Sequence, residues 1–213
     1  MQYKALGLRA ALAAAIFSAG TLLSWPTHAG GPPPLKVPGA EVRQLLGWVH
    51  ATHDHHGRPF AVVDKKQAML YVFHGDGSLA GASSALLGAT PGDFTVPGVG
   101  ERAQLGQVRE DERTTPAGRF DSEPGRNAAG EPIVWVDYEN AFAIHRLRPG
   151  RSEAARQARL ESPRAQDHRV SLGCVIVPVA FYKSVVERVL GTTKSVVYVL
   201  PETRALAEVF GGA

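Results

Sequence analysis

From Pro59 onward the chain is cut into short apolar runs by glycine, proline and aspartate, and this punctuation restricts it to a mainly β fold with few helices. Residues 60–63 and 68–73 (AMLYVF) are two such runs. His74-Gly75-Asp76-Gly77 follows them with residues that accept the positive φ of a tight hairpin turn. Residues 78–88 read as the return strand, and their many small side chains suit close backbone packing. The series continues through 118–122, 133–138, 141–145, 170–177 and 195–200. Helical spacing is confined to three places. Val42, Leu45, Leu46 and Val49 fall at i, i+3, i+4 and i+7. Residues 152–160 form a polar turn or two behind a capping Ser152. Pro178 opens a helix carrying Tyr182, Val185, Val186 and Val189, stopped by Gly191.

Composition removes several classes. Of 213 residues, 44% are hydrophobic, enough to fill a core, and the 20% that are charged are too few for a disordered polyelectrolyte. The first 29 residues place Lys4 and Arg9 before an uncharged apolar stretch ending in Pro26-Thr27-His28-Ala29, the order of a secretory signal peptide cut after Ala29. The apolar run is short of the ~20 residues a spanning helix needs, so the mature chain is expected to be periplasmic or secreted and to lack a membrane span. Without Lys4 and Arg9, 21 basic residues face 20 acidic ones, which gives no general field for nucleic acid. Residues 30–58 read as a Pro/Gly-rich linker and the short helix, 59–201 as the domain, and 202–213 as a C-terminal tail. Residues 90–114 have little periodicity and read as a long loop, functional or mobile.

A single cysteine, Cys174, cannot form an intramolecular disulfide. In an exported chain it is buried and inert, paired with a second chain, or a free reactive thiol. Its neighbours, Ser171-Leu172-Gly173-Cys174-Val175, favour reactivity: Gly173 lets the backbone turn tightly and lets a substrate come close. A thiol needs a proton acceptor, most often histidine. His145 ends the strand-like run Ala-Phe-Ala-Ile-His and is the candidate partner.

The ordered pieces Pro59-Phe-Ala-Val-Val-Asp64, Leu70-Tyr-Val-Phe73, Thr115-Pro-Ala-Gly-Arg-Phe120, Ile144-His145 and Arg169-Val-Ser171-Leu-Gly173-Cys174 together resemble the YkuD-type L,D-transpeptidase catalytic domain, over 59–201. The resemblance implies a β-sandwich or barrel-like fold and a cysteine acyltransferase acting on peptidoglycan stem peptides. It also implies Cys174 as nucleophile, His145 as base, Ser171 shaping the site, and the Gly173-Cys174 backbone as oxyanion donor. An L,D-carboxypeptidase or cross-link hydrolase would use the same nucleophile, and a degenerate domain would bind wall peptides without turnover. No cofactor is required by such chemistry.

Three features depart from the family pattern: Leu172 where a histidine or aromatic is usual, Ile176 where Asn or Arg is common, and an arginine-rich insertion before Arg169. Arg146 and Arg169 are candidate contacts for a substrate carboxylate, with Arg148 a further one. His168 is expected in a solvated loop. His50, His53, His55 and His56 crowd together around Asp54, yet no spacing matches a closed metal site, and none is expected.

Overall fold

The computed structural model describes residues 37–211 and 213; the expected signal peptide and most of the linker lie outside the described residues. A helix α1 (Ala40–Thr52) leads into strands β1 (Phe60–Asp64), β2 (Met69–Phe73), β3 (Leu79–Ser84) and the two-residue β4 (Leu87–Gly88). After helix α2 (Val99–Gln104) come β5 (Gly118–Arg126), β6 (Pro132–Asp137) and β7 (Phe142–Arg146). Helix α3 (Glu153–Glu161), β8 (Arg169–Ser171), β9 (Val175–Val177), a helical segment over 179–189, and β10 (Ser195–Val199) complete the core. The eight-stranded sheet runs β3-β2-β1-β10-β5-β6-β7-β9. Only β1–β10 and β7–β9 are parallel pairs within it.

The sheet is nearly closed. Beyond β3 the chain bends, and Leu86 exchanges both backbone hydrogen bonds with Ile176 of β9, at 2.7 and 2.9 Å. This bend splits the expected strand 78–88 into β3 and β4, because the chain must leave β2 to reach the far edge. Closure satisfies edge groups that would otherwise stay unpaired.

Strands β1, β2 and β10 are buried along their whole length. Ala61, Val63, Leu70, Val72, Val197 and Val199 face one core, which Tyr182, Val186 and Leu190 cover. Phe60, Val62, Met69, Tyr71, Val196 and Tyr198 face another, covered by Val42, Leu45 and Val49 of α1. Burial on both faces explains why these strands read as unbroken apolar runs rather than alternating ones.

Residues 202–213, read as a tail, carry a helix (Leu206–Phe210) whose Leu206 and Phe210 are buried in the second core. That segment is also pinned by Asp93. Its carboxylate accepts the N–H groups of Glu202, Thr203 and Arg204 and the Thr203 hydroxyl, and it pairs with the fully buried Lys65 at 2.8 Å. Among the described residues no helix is long and apolar enough to cross a membrane.

Candidate active site

The register between β7 and β9 sets the site. Ile144 pairs with Val175 and His145 with Ile176. Side chains alternate across a strand, so Ile144 and Val175 point into the core while Ala143, His145, Cys174 and Ile176 share the outer face. They line one groove of about 510 Å³, together with Ser171, Leu172 and Trp135. Cys174 and His145 are therefore diagonal neighbours at the same opening, and Cys174 is partly exposed there.

The turn before β9 is held by side chains. Ser171 Oγ accepts the Gly173 N–H at 3.0 Å and donates to the Cys174 carbonyl at 2.7 Å. The buried Thr115 donates through Oγ1 to the Gly173 carbonyl at 2.8 Å and accepts the Gly88 N–H at 2.9 Å. Gly173 has φ 135°, and a Cβ there would stand 2.9 Å from the Thr114 carbonyl oxygen. Glycine is required on both counts. Ser171 occupies the Gly173 amide, whereas the Leu172 and Cys174 N–H groups of this turn have no partner among the described residues.

His145 is buried, with its Nδ1 2.8 Å from the Arg146 carbonyl oxygen. A carbonyl only accepts, so Nδ1 carries the hydrogen and Nε2 keeps a lone pair. Burial, reinforced by the nearby Arg148 guanidinium, holds the imidazole pKa down to about 4. Burial pushes the Cys174 thiol up, against the pull of the Ala143 N–H. The thiol donates to the Ala141 carbonyl at 3.4 Å. Ala141 itself is left-handed at φ 53°, an unusual conformation for a residue with a Cβ. The resting pair is a neutral thiol beside a neutral imidazole.

A second, smaller cavity of about 80 Å³ reaches Cys174 from the other side, walled by Thr95, Val99, Ala103, Thr114 and Phe142. Leu172 is 48% exposed and lines both cavities, as Ala141 and Cys174 do. Residues 90–114 thus supply part of a wall through Thr95, Val99, Ala103 and Thr114: Val99 and Gly100 are buried, and a Cβ on Gly100 would meet the Glu139 carbonyl at 1.8 Å.

Several expected residues are placed elsewhere. Arg146 pairs with Glu131, and Arg169 donates to Glu202 and to the Lys65 carbonyl. Neither lines the groove at Cys174; Arg169 borders a separate cavity beside Lys65 and Lys66. His168 is buried rather than solvated, with its ring nitrogens against the carbonyls of Ala85 and Ser162 at 3.1 and 3.0 Å. Ile176 is buried with Leu86, Leu147 and Leu160, a small core under the arginine-rich insertion. Arg156, which sequence reasoning passed over, lines the groove with Arg148. Its signal was the spacing to Leu160, one helical turn on. His55 is buried and contacts the Gly75 carbonyl, and no cluster of three or more His, Cys, Asp or Glu among the described residues is arranged to hold a metal ion.

No protein-family model matches the chain, and no curated protein sequence matches it significantly.

Proposed function

We propose that the protein is an exported cysteine L,D-transpeptidase of the YkuD type, acting on peptidoglycan stem peptides through a Cys174 thioester. The observation that carries this reading is the shared face of His145 and Cys174 at one groove, with the imidazole tautomer fixed so that Nε2 keeps its lone pair.

The chemistry follows from those groups. As Cys174 Sγ attacks the carbonyl of the L,D peptide bond, its proton passes to His145 Nε2. The sulfur–carbon bond forms while the Cys174 N–H donates to the developing oxyanion. The carbon–nitrogen bond then breaks, and the leaving amine takes the proton from His145. An acceptor amine, deprotonated by the same ring, attacks the thioester, and the thiol is regenerated. Metal and organic cofactors have no part in these steps.

The small second cavity favours a related reading beside this one. A space of about 80 Å³ admits water readily, since one water takes about 30 Å³ of liquid volume, but not a second peptide without movement of its wall. An L,D-carboxypeptidase or cross-link hydrolase would resolve the same thioester with water.

The test is incubation of the mature chain with a tetrapeptide-stem muropeptide, followed by mass spectrometry. A Cys174 acyl adduct with a cross-linked product supports transfer, and an adduct with only a shortened stem supports hydrolysis. Absence of adduct and of released D-alanine refutes both, and a chain that still binds wall fragments is then a non-catalytic binder.

A further inference from the structure

We infer that Arg156, with Arg148 beside it, anchors a free carboxylate of the acyl-donor peptide next to the scissile bond; this rests on the stem-peptide reading above. Helix α3 is strongly polar and buries only Leu160, which packs against Leu86, Leu147 and Ile176. Arg156 lies four residues earlier on the same helical face, so the contact that seats Leu160 also turns Arg156 toward the groove.

Arg156 is chemically unfinished there. No carboxylate lies within ion-pair distance of it among the described residues. Its Nε is buried without a partner, and one terminal nitrogen reaches only the Arg148 carbonyl at 3.3 Å. Arg148 shares its single acid, Glu131, with Arg146, so three guanidiniums in this corner face one carboxylate. No acidic residue lines the groove, whose remaining wall is largely small or apolar apart from Asn127, Ser171, His145 and the thiol. A planar donor fork facing a cavity with no built-in acid suits a carboxylate on the ligand. Near an L,D bond two groups qualify: the terminal D-alanine carboxylate and the free carboxylate of the diamino acid.

The experiment uses the full chain carrying Cys174→Ala, so that binding is read without turnover. It is titrated calorimetrically with three synthetic tetrapeptide stems: the free acid, the terminal carboxamide, and the carboxamide at the diamino acid. The expected result is that one amide binds on the order of ten- to a hundredfold more weakly than the free acid, which also identifies the carboxylate held. Adding Arg156→Gln should abolish that difference, and Arg156→Lys should retain part of it. An unchanged melting temperature shows that Leu160 remains seated. Equal binding of all three stems, or an acid-to-amide ratio untouched by Arg156→Gln, overturns the anchor alone. Binding of none of them overturns the stem-peptide reading and the anchor with it.

Discussion

Ser171 holds the peptide of Cys174 from within its own turn: the hydroxyl donates to the Cys174 carbonyl at 2.7 Å while taking the Gly173 N–H at 3.0 Å. One buried oxygen thus orients the Leu172–Gly173 and Cys174–Val175 amides, one before and one after the sulfur-bearing residue's own N–H. Ser171→Ala is expected to cost about 1–3 kcal/mol, because a buried N–H and a carbonyl lose their partner. It should also slow Cys174 acylation, and Ser171→Thr should restore most of both. Urea unfolding and adduct formation by mass spectrometry check this; an alanine variant equal to wild type in both would refute the role.

Gly173→Ala places a methyl against the Thr114 carbonyl oxygen at a φ that L-residues avoid. A cost of about 1–3 kcal/mol is expected from the backbone strain alone. The turn should yield before the barrel does, so the variant is expected to stay folded while its thiol leaves register with His145. Circular dichroism together with the rate of Cys174 acylation would show it.

Stability should depend on pH through His145. Its folded pKa is about 4, below the 6.5 of a free imidazole, so the unfolded chain binds the proton more tightly. Between those values stability rises with pH. The contribution is fully present above about 6.5 and lost as pH falls toward 4, with a total of about 3 kcal/mol. His145→Gln should remove that component. Comparing urea midpoints of the two proteins at pH 7.5 and pH 4.5 measures it, and identical pH dependence in both would contradict the assignment.

Because the thiol is pushed up and the ring is held down, Cys174 at rest is not a thiolate paired with an imidazolium. Alkylation by iodoacetamide should keep accelerating through the ordinary thiol range, around 8.5 and above, without a plateau near neutrality. A plateau at acidic or neutral pH would mean an ion pair forms without substrate.

Lys65→Met should destabilise the fold by about 3–5 kcal/mol, since it removes the fully buried cation bonded to the Asp93 carboxylate and leaves only Arg204, 3.9 Å away. Burial alone would raise Asp93, and the Lys65 and Thr203 hydrogen bonds hold it well below the usual carboxylate range. In the variant the deficit should shrink toward pH 4 as Asp93 takes up a proton. A deficit that is constant with pH would argue against an uncompensated charge.

The doubly buried strands are legible because β-branched and aromatic residues recur without interruption between turn residues, as in 60–63 and 195–200. Cys174 and His145 stand out for a different reason, a lone thiol after glycine and a ring at a strand end, and the two line one groove. What could not be read depends on distant partners. The bend at Leu86 arises from closure onto Ile176, ninety positions later. His168 is buried because Ala85 and Ser162 present carbonyls to it. Arg169 is occupied by Glu202, which lies beyond the last strand. Leu206, Val209 and Phe210 carry a helical spacing within residues 202–213.

Strand β9 is three residues long, yet it is gripped by β7 on one flank and by Leu86 on the other. The Cys174 sulfur is therefore mounted where β9 meets Leu86 rather than on a free edge. Parting β9 from Leu86 would displace Cys174 from its place beside His145, tying the geometry of that pair to closure of the sheet.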